Sequence, residues 1–293
     1  MRSPARGNKT MFFFLLYYLI MSSLIPFILI AMGFDDMIIN IAIAQILGLF
    51  LPFLFYLLFT KQRQSDVLKW SPLGIKNTLL VIVIALAVIP MVQLVSYLSS
   101  FIFFPVIEAV MIDMTVHPMW LSLIVVAVFP SLFEELIFRG AIYAEYEGVS
   151  IKKAAIMTGL FFGIMHMNFH QAIYAGLFGI LYAYILFYTR SIWAPILLHF
   201  INNGISVILS YWDAYMAWFS GISNDVPIFI GLYGVISLVL APVLFLCLRK
   251  LKQNNKPHQE VDGAENIFGW AFWSIIGLFI IVAGLMEIGF RLM

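Results

Sequence analysis

Charged residues and cysteine are scarce in this sequence of 293 residues. Asp, Glu, Lys and Arg make up 11% of the chain, against roughly 25% in soluble domains. The net formal charge is +1 and no block of basic residues occurs, so we expect no nucleic-acid partner. The single cysteine, Cys247, can form no intramolecular disulfide and cannot by itself make a zinc site.

The sequence consists largely of long runs of apolar residues. Hydrophobic residues account for 63% of the chain, and the mean hydropathy is +1.02. Continuous runs of about 20 apolar residues are the length that crosses a bilayer as an α-helix. A transmembrane β-barrel would instead show short segments of alternating polarity. The sequence therefore predicts an all-α fold, a polytopic transmembrane helical bundle in a lipid bilayer.

The apolar runs predict nine spans, or eight if one of the shorter central segments is re-entrant. The first run is too long for the core of a cleaved signal peptide, which is about 7–15 residues, so we expect a retained helix. We divide the chain into N-terminal helices at 1–118, a central region at 119–211 and C-terminal helices at 212–293. The predicted helices are 11–32, 37–60, 77–104, 119–143, 153–168, 171–188, 191–211, 227–248 and 267–289.

Lysine and arginine are unevenly distributed between the predicted loops. With nine spans, every basic position except Arg291 falls on one side, and the loops of the other side contain acidic residues and no Lys or Arg. Because Lys- and Arg-rich loops stay in the cytoplasm, the N-terminus is predicted to be cytoplasmic. The basic positions are Arg2, Arg6, Lys9, Lys61, Arg63, Lys69, Lys76, Arg139, Lys152, Lys153, Arg190, Arg249, Lys250, Lys252 and Lys256.

Two adjacent acids, Glu134 and Glu135, end a long apolar run on the fourth predicted helix. A charged side chain at bilayer depth costs at least about 2.5–3.5 kcal/mol, so the pair needs a physical reason. Glu135 lies one helical turn from Arg139 and can form an ion pair with it. Glu134 points about 100° away and has Phe138 as its neighbour one turn later. We interpret Glu135 as the acid that is held and Glu134 as the free, working acid.

Two more helices carry polar groups inside apolar segments. Phe162 and His166 share one face of the fifth helix, and His199 and Asn203 share one face of the seventh, because each pair has helical i,i+4 spacing. Ionisable groups inside a membrane face the protein interior or a water-filled cavity. We therefore expect Glu134 to meet both imidazoles and the carboxamide in one cavity that opens toward the cytoplasm.

Such a set of side chains is compatible with three kinds of chemistry. A carboxylate and an imidazole that share a water molecule can act as the general base of a hydrolysis, while a second imidazole and a carboxamide can stabilise an oxyanion. A Glu and two His could also hold zinc, but no His-Glu-x-x-His motif occurs. A transporter could use a Glu–His proton relay. No Gly-x-Ser-x-Gly motif indicates a serine nucleophile.

The three spaced motifs together resemble those of the CAAX protease and bacteriocin-processing (Abi, CPBP) family. This family includes type II prenyl-protein endopeptidases and bacterial self-immunity proteins. The resemblance covers about residues 119–210, and the helices before and after this region match no motif of the family. The matching motifs are Glu134-Glu135-x-x-x-Arg139, Phe162-x-x-x-His166 and His199-x-x-x-Asn203.

The resemblance implies an intramembrane endopeptidase that hydrolyses a peptide bond near the cytoplasmic leaflet. It implies glutamate-dependent hydrolysis without a cofactor, in preference to a zinc enzyme. The implied partners are a peptide or membrane-protein substrate, lipidated in some members of the family, and the implied location is a bacterial cell membrane. The implied roles are water activation by Glu134 and His166, an oxyanion hole from His199 and Asn203, and support from Glu135, Arg139 and Phe162.

The alternative is a non-hydrolytic bacteriocin-immunity or scaffold protein that keeps the same residues for structure. Protection or partner binding that persists in alanine variants of those residues would distinguish this alternative. A transporter is less favoured, because the polar residues are confined to neighbouring segments and no paired broken helices occur in matching halves of the chain.

Overall fold

The structure, a computed structural model, describes residues 2–60, 64–255 and 267–292. Most of these residues are helical, and their only extended pairing is an isolated antiparallel bridge between Trp70 and Ser191. The predicted all-α class is therefore confirmed. The helices of eight or more residues are α1 Pro4–Ala31, α2 Met37–Thr60, α3 Ile75–Ser100, α4 Val106–Asp113, α5 Met119–Glu145, α6 Ile151–Met165, α7 Phe169–Thr189, α8 Trp193–Ser210, α9 Asp213–Ser223, α10 Val226–Asn255 and α11 Trp270–Leu292.

Among the described residues, eight helices are long and apolar enough to cross a membrane, so the protein is an integral membrane protein. They are α1, α2, α3, α5, α7, α8, α10 and α11. The predicted span that is not among these eight is the fifth predicted helix, 153–168. It corresponds to α6, which has 15 residues. At 1.5 Å per residue this helix is about 22 Å long, shorter than the roughly 30 Å hydrocarbon core. The count of eight therefore follows from one short central helix.

Two short helices were not expected from the sequence. The predicted third helix continued to residue 104, whereas α3 ends at Ser100 and the separate helix α4 begins after Pro105. Proline fixes its own backbone and disfavours a helical conformation in the preceding residue, which separates the two helices. Helix α9 likewise occupies the connection between α8 and α10.

Helices α6 and α7 form a hairpin with very close backbone contact. A Cβ atom added to Gly179 would lie 2.7 Å from the Cα atom of Gly159, and one added to Gly163 would collide with the carbonyl oxygen of Ala172. Only glycine permits this approach, because it has no side chain to separate the helices. The hairpin fixes the position of His166, which directly follows α6.

The predicted basic side forms one face of the bundle, which we call the basic face. Glu147, in the α5–α6 connection, contacts Arg2 at 2.5 Å, Lys69 at 2.8 Å and Arg190 at 3.2 Å. Burial lowers the pKa of Lys69, and the neighbouring carboxylate of Glu147 partly counteracts this effect. The N-terminus and three connections therefore meet on the same side, as the charge pattern predicted. Three of the basic positions lie outside the described residues: Lys61, Arg63 and Lys256.

A hydrophobic core packs α5, α7 and α8 together and extends to the α2–α3 connection at this face. Phe138 and Ile142 of α5, Ile185 of α7 and Leu198 of α8 are all 0% exposed. Leu68, from the α2–α3 connection, packs into the same core.

Candidate active site

A cavity of about 270 Å³ lies among α1, α2, α4, α5, α6, α7 and α8. Its lining contains Glu134 of α5, His166 at the end of α6, and His199 and Asn203 of α8, together with Phe162. The structure thus places the four predicted catalytic side chains around one cavity. Glu135 and Arg139 do not line it, because both are buried behind it in the protein interior.

Glu134 is the partly exposed acid of the adjacent pair. Its Oε2 atom is buried and receives no hydrogen bond from any described residue. A buried carboxylate oxygen without a donor is costly, and a water molecule or a substrate group can satisfy it. The arrangement leaves this oxygen available to a molecule in the cavity.

Glu135 binds two partners with its two carboxylate oxygens. Oε2 lies 3.1 Å from Nε of Arg139, and Oε1 lies 3.0 Å from Nδ1 of His199. The contact to Arg139 was expected from the helical spacing, whereas the contact to His199 was not. A carboxylate that accepts a hydrogen bond from Nδ1 fixes both the tautomer and the orientation of an imidazole. Glu135 therefore links α5 directly to the histidine of α8.

Arg139 is held from several sides despite being only 1% exposed. Its Nη2 atom donates to the carbonyl oxygen of Gly179 at 3.0 Å. Its guanidinium carbon lies 4.6 Å from the centre of the Phe162 ring and 5.0 Å from that of Tyr182. Cation–π contacts and a charge-assisted hydrogen bond offset the cost of burying this charge. Phe162 therefore contributes to the site by packing against Arg139 as well as by lining the cavity.

The ring orientation of His166 is set by its own helix. Nδ1 lies 2.9 Å from the carbonyl oxygen of Phe162. A carbonyl oxygen can only accept a hydrogen bond, so Nδ1 carries the proton and Nε2 keeps a lone pair in the neutral imidazole. The described hydrogen bonds thus make Nε2 the atom that can accept a proton.

His199 and Asn203 form a connected hydrogen-bond network. Nδ2 of Asn203 donates to the carbonyl oxygen of Val126 at 3.0 Å and lies 3.2 Å from Nε2 of His199. Its Oδ1 atom accepts from Nδ2 of Asn202 at 3.0 Å. All three contacts agree with a single orientation of the Asn203 amide, in which Nδ2 donates and Oδ1 accepts. With Nδ1–H directed at Glu135, Nε2 of His199 accepts the amide N–H of Asn203.

Pro130 explains why side-chain donors are needed at this point of α5. Its nitrogen has no hydrogen, so it cannot donate to Val126 in an α-helical pattern or to Val125 in a π-helical one. The helix is π-helical over Leu123–Val128. The carbonyl oxygen of Val126 accepts a hydrogen bond from Nδ2 of Asn203, and the carbonyl oxygen of Val125 accepts one from Nε2 of Gln45 at 3.0 Å. The chain therefore attaches α2 and α8 to the same irregular turn.

Gln45 is the residue of this site that the sequence analysis missed. It lines the cavity, and its Oε1 atom is buried without a hydrogen-bond donor among the described residues. The signal that identified the two histidines also applies to it, since it is a polar residue inside the apolar segment 37–60. Tyr18 of α1 also lines the cavity, although a tyrosine in an apolar run gives no comparable signal.

The cavity extends away from the basic face. Its lining runs from Tyr182 and His199 at the inner end to Ile41 of α2, Met111 of α4 and Gln171 of α7 at the other. The last three lie near the helix ends that are remote from the basic face. The opening of the cavity toward the cytoplasm stays a prediction.

The donor set does not favour a metal centre. Among residues 2–60, 64–255 and 267–292, no three His, Cys, Asp or Glu side chains are grouped in a way that could hold a metal ion. Both ring nitrogens of His199 are engaged, one by Glu135 and the other by Asn203. Glu134 and His166 alone would leave a zinc ion short of the three protein ligands typical of catalytic sites.

Comparisons with known proteins find matches to the central part of the chain. Residues 116–205 match the model of a family described as type II CAAX prenyl endopeptidase Rce1-like. The chain is 31% identical over 90 residues to a Bacillus subtilis (strain 168) protein named "Putative membrane peptidase YdiL", an alignment that covers 30% of this chain and 37% of that protein. The chain thus spans little more than a third of the length of this relative. No solved structure matches.

The matched region contains every residue predicted to form the site, from Glu134 to Asn203. The resemblance to the CAAX protease family, which the motifs indicated, is confirmed for this segment by an independent family comparison.

Proposed function

Since residues 116–205 match the Rce1-like endopeptidase family, we propose that the protein is an intramembrane endopeptidase that hydrolyses a peptide bond within the cavity. The single observation that carries this proposal is the common cavity of Glu134, His166, His199 and Asn203. An acid, two imidazoles and a carboxamide supply the groups that hydrolysis requires, namely a base, an acid and oxyanion donors.

In this mechanism Glu134 and His166 activate the attacking water. The carboxylate oxygen of Glu134 that lacks a protein donor accepts one hydrogen bond from the water, and Nε2 of His166 is the second acceptor in the same cavity. The water oxygen bonds to the carbonyl carbon of the substrate while its proton passes to this pair. The same proton is then given to the leaving amine as the C–N bond breaks.

His199 and Asn203 stabilise the negative charge that develops on the carbonyl oxygen. In the free site the amide of Asn203 donates to Nε2 of His199. A substrate carbonyl oxygen replaces that acceptor and receives the N–H of Asn203. Glu135 holds Nδ1 of His199, so an imidazole that carries a proton on both nitrogens donates a second hydrogen bond from Nε2 to the oxyanion. Glu135 and Arg139 thus position His199 without touching the substrate.

The substrate in this proposal is an extended segment of a peptide or membrane protein. The cavity can admit peptide backbone next to Glu134, because it is bordered by apolar side chains together with the amides of Gln45, Gln171 and Asn202. Amide side chains pair with peptide N–H and C=O groups and are suited to holding an unfolded chain. Lipid modification of the substrate remains a proposal that rests on the family resemblance.

The test is hydrolysis of a peptide library by the purified, membrane-reconstituted protein, with new termini identified by mass spectrometry. We expect cleavage by the wild type and a loss of about 10²–10⁴ in rate on replacement of either base, as Glu134→Gln or His166→Ala. Glu287→Gln is the matched carboxylate control, because Glu287 pairs with Arg291 and does not line the cavity. His117→Ala is the imidazole control, since its ring lies beside Asp36.

Retained cleavage in both Glu134→Gln and His166→Ala would reject the mechanism. The immunity or scaffold alternative predicts a different pattern, in which protection of cells or partner binding is unaffected by the same two substitutions and no cleavage is detected with the wild type.

A further inference from the structure

We propose that Gln45 of α2 binds the peptide substrate by accepting a hydrogen bond from one backbone N–H close to the scissile bond. This inference rests on the proposed function and deepens it, because it adds a specificity-determining residue to the cavity. Proline has no N–H, so Gln45 excludes proline from one position of the substrate. The test measures binding and does not require that hydrolysis be observed.

The first observation is that the side-chain amide of Gln45 has a fixed orientation. Its Nε2 atom donates to the carbonyl oxygen of Val125 at 3.0 Å, an oxygen to which Pro130 cannot donate. If the amide turned by 180°, Oε1 would face the Val125 oxygen, and two acceptors cannot form a hydrogen bond. Oε1 is therefore the atom of this amide that remains available to another donor.

The second observation is that this oxygen has no donor. Gln45 lines the cavity, and Oε1 is buried without a hydrogen bond from any described residue. A buried acceptor without a donor is destabilising, so a ligand that supplies the donor gains binding free energy. Within the described part of the chain, Glu134 is the one other cavity-lining residue with such an oxygen. In the proposed mechanism Glu134 binds the attacking water, which leaves Oε1 of Gln45 for the peptide.

The third observation is that two other amides of the cavity differ from Gln45 in this respect. Oε1 of Gln171 accepts from Nδ2 of Asn168 at 3.1 Å. Oδ1 of Asn203 accepts from Nδ2 of Asn202 at 3.0 Å. Both of these oxygens already have a donor within the protein, so Gln45 gains more from a peptide N–H than either of them.

The fourth observation places Gln45 close to the proposed oxyanion hole. Gln45 and Asn203 are attached to consecutive carbonyl oxygens of α5, those of Val125 and Val126. In the proposed mechanism Asn203 binds the oxygen of the scissile carbonyl. Successive residues of an extended peptide are about 3.3–3.6 Å apart, so the N–H that Gln45 accepts belongs to a residue within two positions of the scissile bond.

A series of ester-containing peptides tests this proposal. The probe is a library peptide that the membrane-reconstituted Glu134→Gln variant binds, and each backbone N–H of it is replaced in turn by an ester oxygen. Each replacement removes one donor and keeps the length of the chain. Kd is measured for every peptide in the Glu134→Gln background, with and without Gln45→Met, which has a side chain of similar size and no amide. Gln171→Met is the matched control, because the oxygen of Gln171 already accepts from Asn168.

We expect the ester at one position to weaken binding about 3- to 10-fold, which is the net effect of one neutral hydrogen bond. In Gln45→Met the same ester should have no effect beyond that of esters at the other positions, whereas in Gln171→Met its effect should persist. Proline or an N-methyl group at that position should lower kcat/KM for the wild type. A merely structural role of Gln45 would change the binding of all peptides alike, so ester effects that are equal with and without Gln45→Met would overturn the proposal.

A second background separates substrate binding from folding, because Gln45→Met also removes the donor to Val125. Pro130→Ala returns a backbone N–H to this turn, and the same series in that background tests the proposal if Gln45→Met alone does not accumulate in the membrane.

The two proposals fail separately. An ester effect that depends on Gln45, in a protein that cleaves no peptide, would retain the role of Gln45 in binding and reject the hydrolysis. Cleavage without such an ester effect, or with the effect more than two residues from the cleaved bond, would retain the hydrolysis and reject the inference. A protein that neither binds nor cleaves any library peptide would reject both.

Discussion

Nδ1 of His199 lies 3.0 Å from Oε1 of Glu135, while the other oxygen of Glu135 lies 3.1 Å from Nε of Arg139. One buried carboxylate therefore holds a cation on its own helix and an imidazole on another. The two adjacent acids therefore have different contacts. Glu135 holds Arg139 and His199 in the protein interior, and Glu134 faces the cavity.

Replacement of Glu135 should damage both folding and chemistry. Glu135→Gln keeps the shape but leaves the buried charge of Arg139 uncompensated, and loss of one partner of a buried ion pair costs about 3–5 kcal/mol. We expect a lower melting temperature in detergent and strongly reduced kcat. Thermal unfolding monitored by circular dichroism, together with cleavage assays, provides the measurements.

A matched comparison separates the two effects. Arg139→Met in the Glu135→Gln background removes the uncompensated charge and should restore part of the stability without restoring kcat, because His199 still lacks its carboxylate. Equal recovery of stability and turnover would contradict a positioning role for Glu135.

Asn203 should affect the reaction step more than substrate binding. Asn203→Ala removes a donor to the developing oxyanion, and loss of one such donor reduces kcat by about 10²–10³. KM should change little, because the interaction strengthens only in the transition state. Asn202→Ala is the control, since Asn202 lines the same cavity but donates to Asn203. Equal effects of the two substitutions on kcat would reject the proposed role of Asn203.

Gln45 should stabilise the irregular turn of α5. Gln45→Leu leaves the carbonyl oxygen of Val125 without its side-chain donor, and an unsatisfied buried acceptor costs about 1–3 kcal/mol. Pro130→Ala returns a backbone N–H to this turn, so the double variant should be more stable than the two single effects predict. A double-mutant cycle of melting temperatures measures this coupling. Additive effects would show that Pro130 and Gln45 act independently.

The α6–α7 contact should control the position of His166. A Cβ at Gly163 meets the carbonyl oxygen of Ala172, so Gly163→Ala should push the hairpin apart at a cost of about 1–3 kcal/mol. We expect lower thermal stability and reduced kcat, because His166 lies three residues further on. Gly277→Ala is the matched control, since a Cβ there meets nothing within 4 Å. Similar losses in both variants would indicate a general effect of helix glycines.

Chelation distinguishes the water-activation mechanism from a metal-dependent one. We expect cleavage to survive exhaustive treatment with a chelator and a subsequent buffer exchange, with no zinc in stoichiometric amount by elemental analysis. If chelation abolishes cleavage and added zinc restores it, the reaction is metal-dependent, and Glu134 and His166 become candidate zinc ligands.

The sequence was sufficient to predict the helical class, the common face of the basic loops and the meeting of Glu134, His166, His199 and Asn203 around one cavity. Each of these follows from local rules: apolar run length, loop charge, and the cost of polar groups in a membrane. The catalytic roles of the four residues remain predictions that the proposed experiments test.

The sequence did not predict the features that depend on packing between distant helices. The contact between Glu135 and His199 joins residues 64 positions apart, and helical spacing indicates only the Arg139 partner. Helix α4 was missed because the short segment after Pro105 contains Glu108 and Asp113, which are typical of a loop between spans.

The most direct test of the central claim is single-turnover cleavage by the wild type, Glu134→Gln and Glu287→Gln, each reconstituted in the same membranes and matched in melting temperature. The account predicts that wild type and Glu287→Gln cleave at the same rate, while Glu134→Gln is slower by about 10²–10⁴ because the attacking water loses its base. Cleavage by Glu134→Gln at the wild-type rate would contradict it.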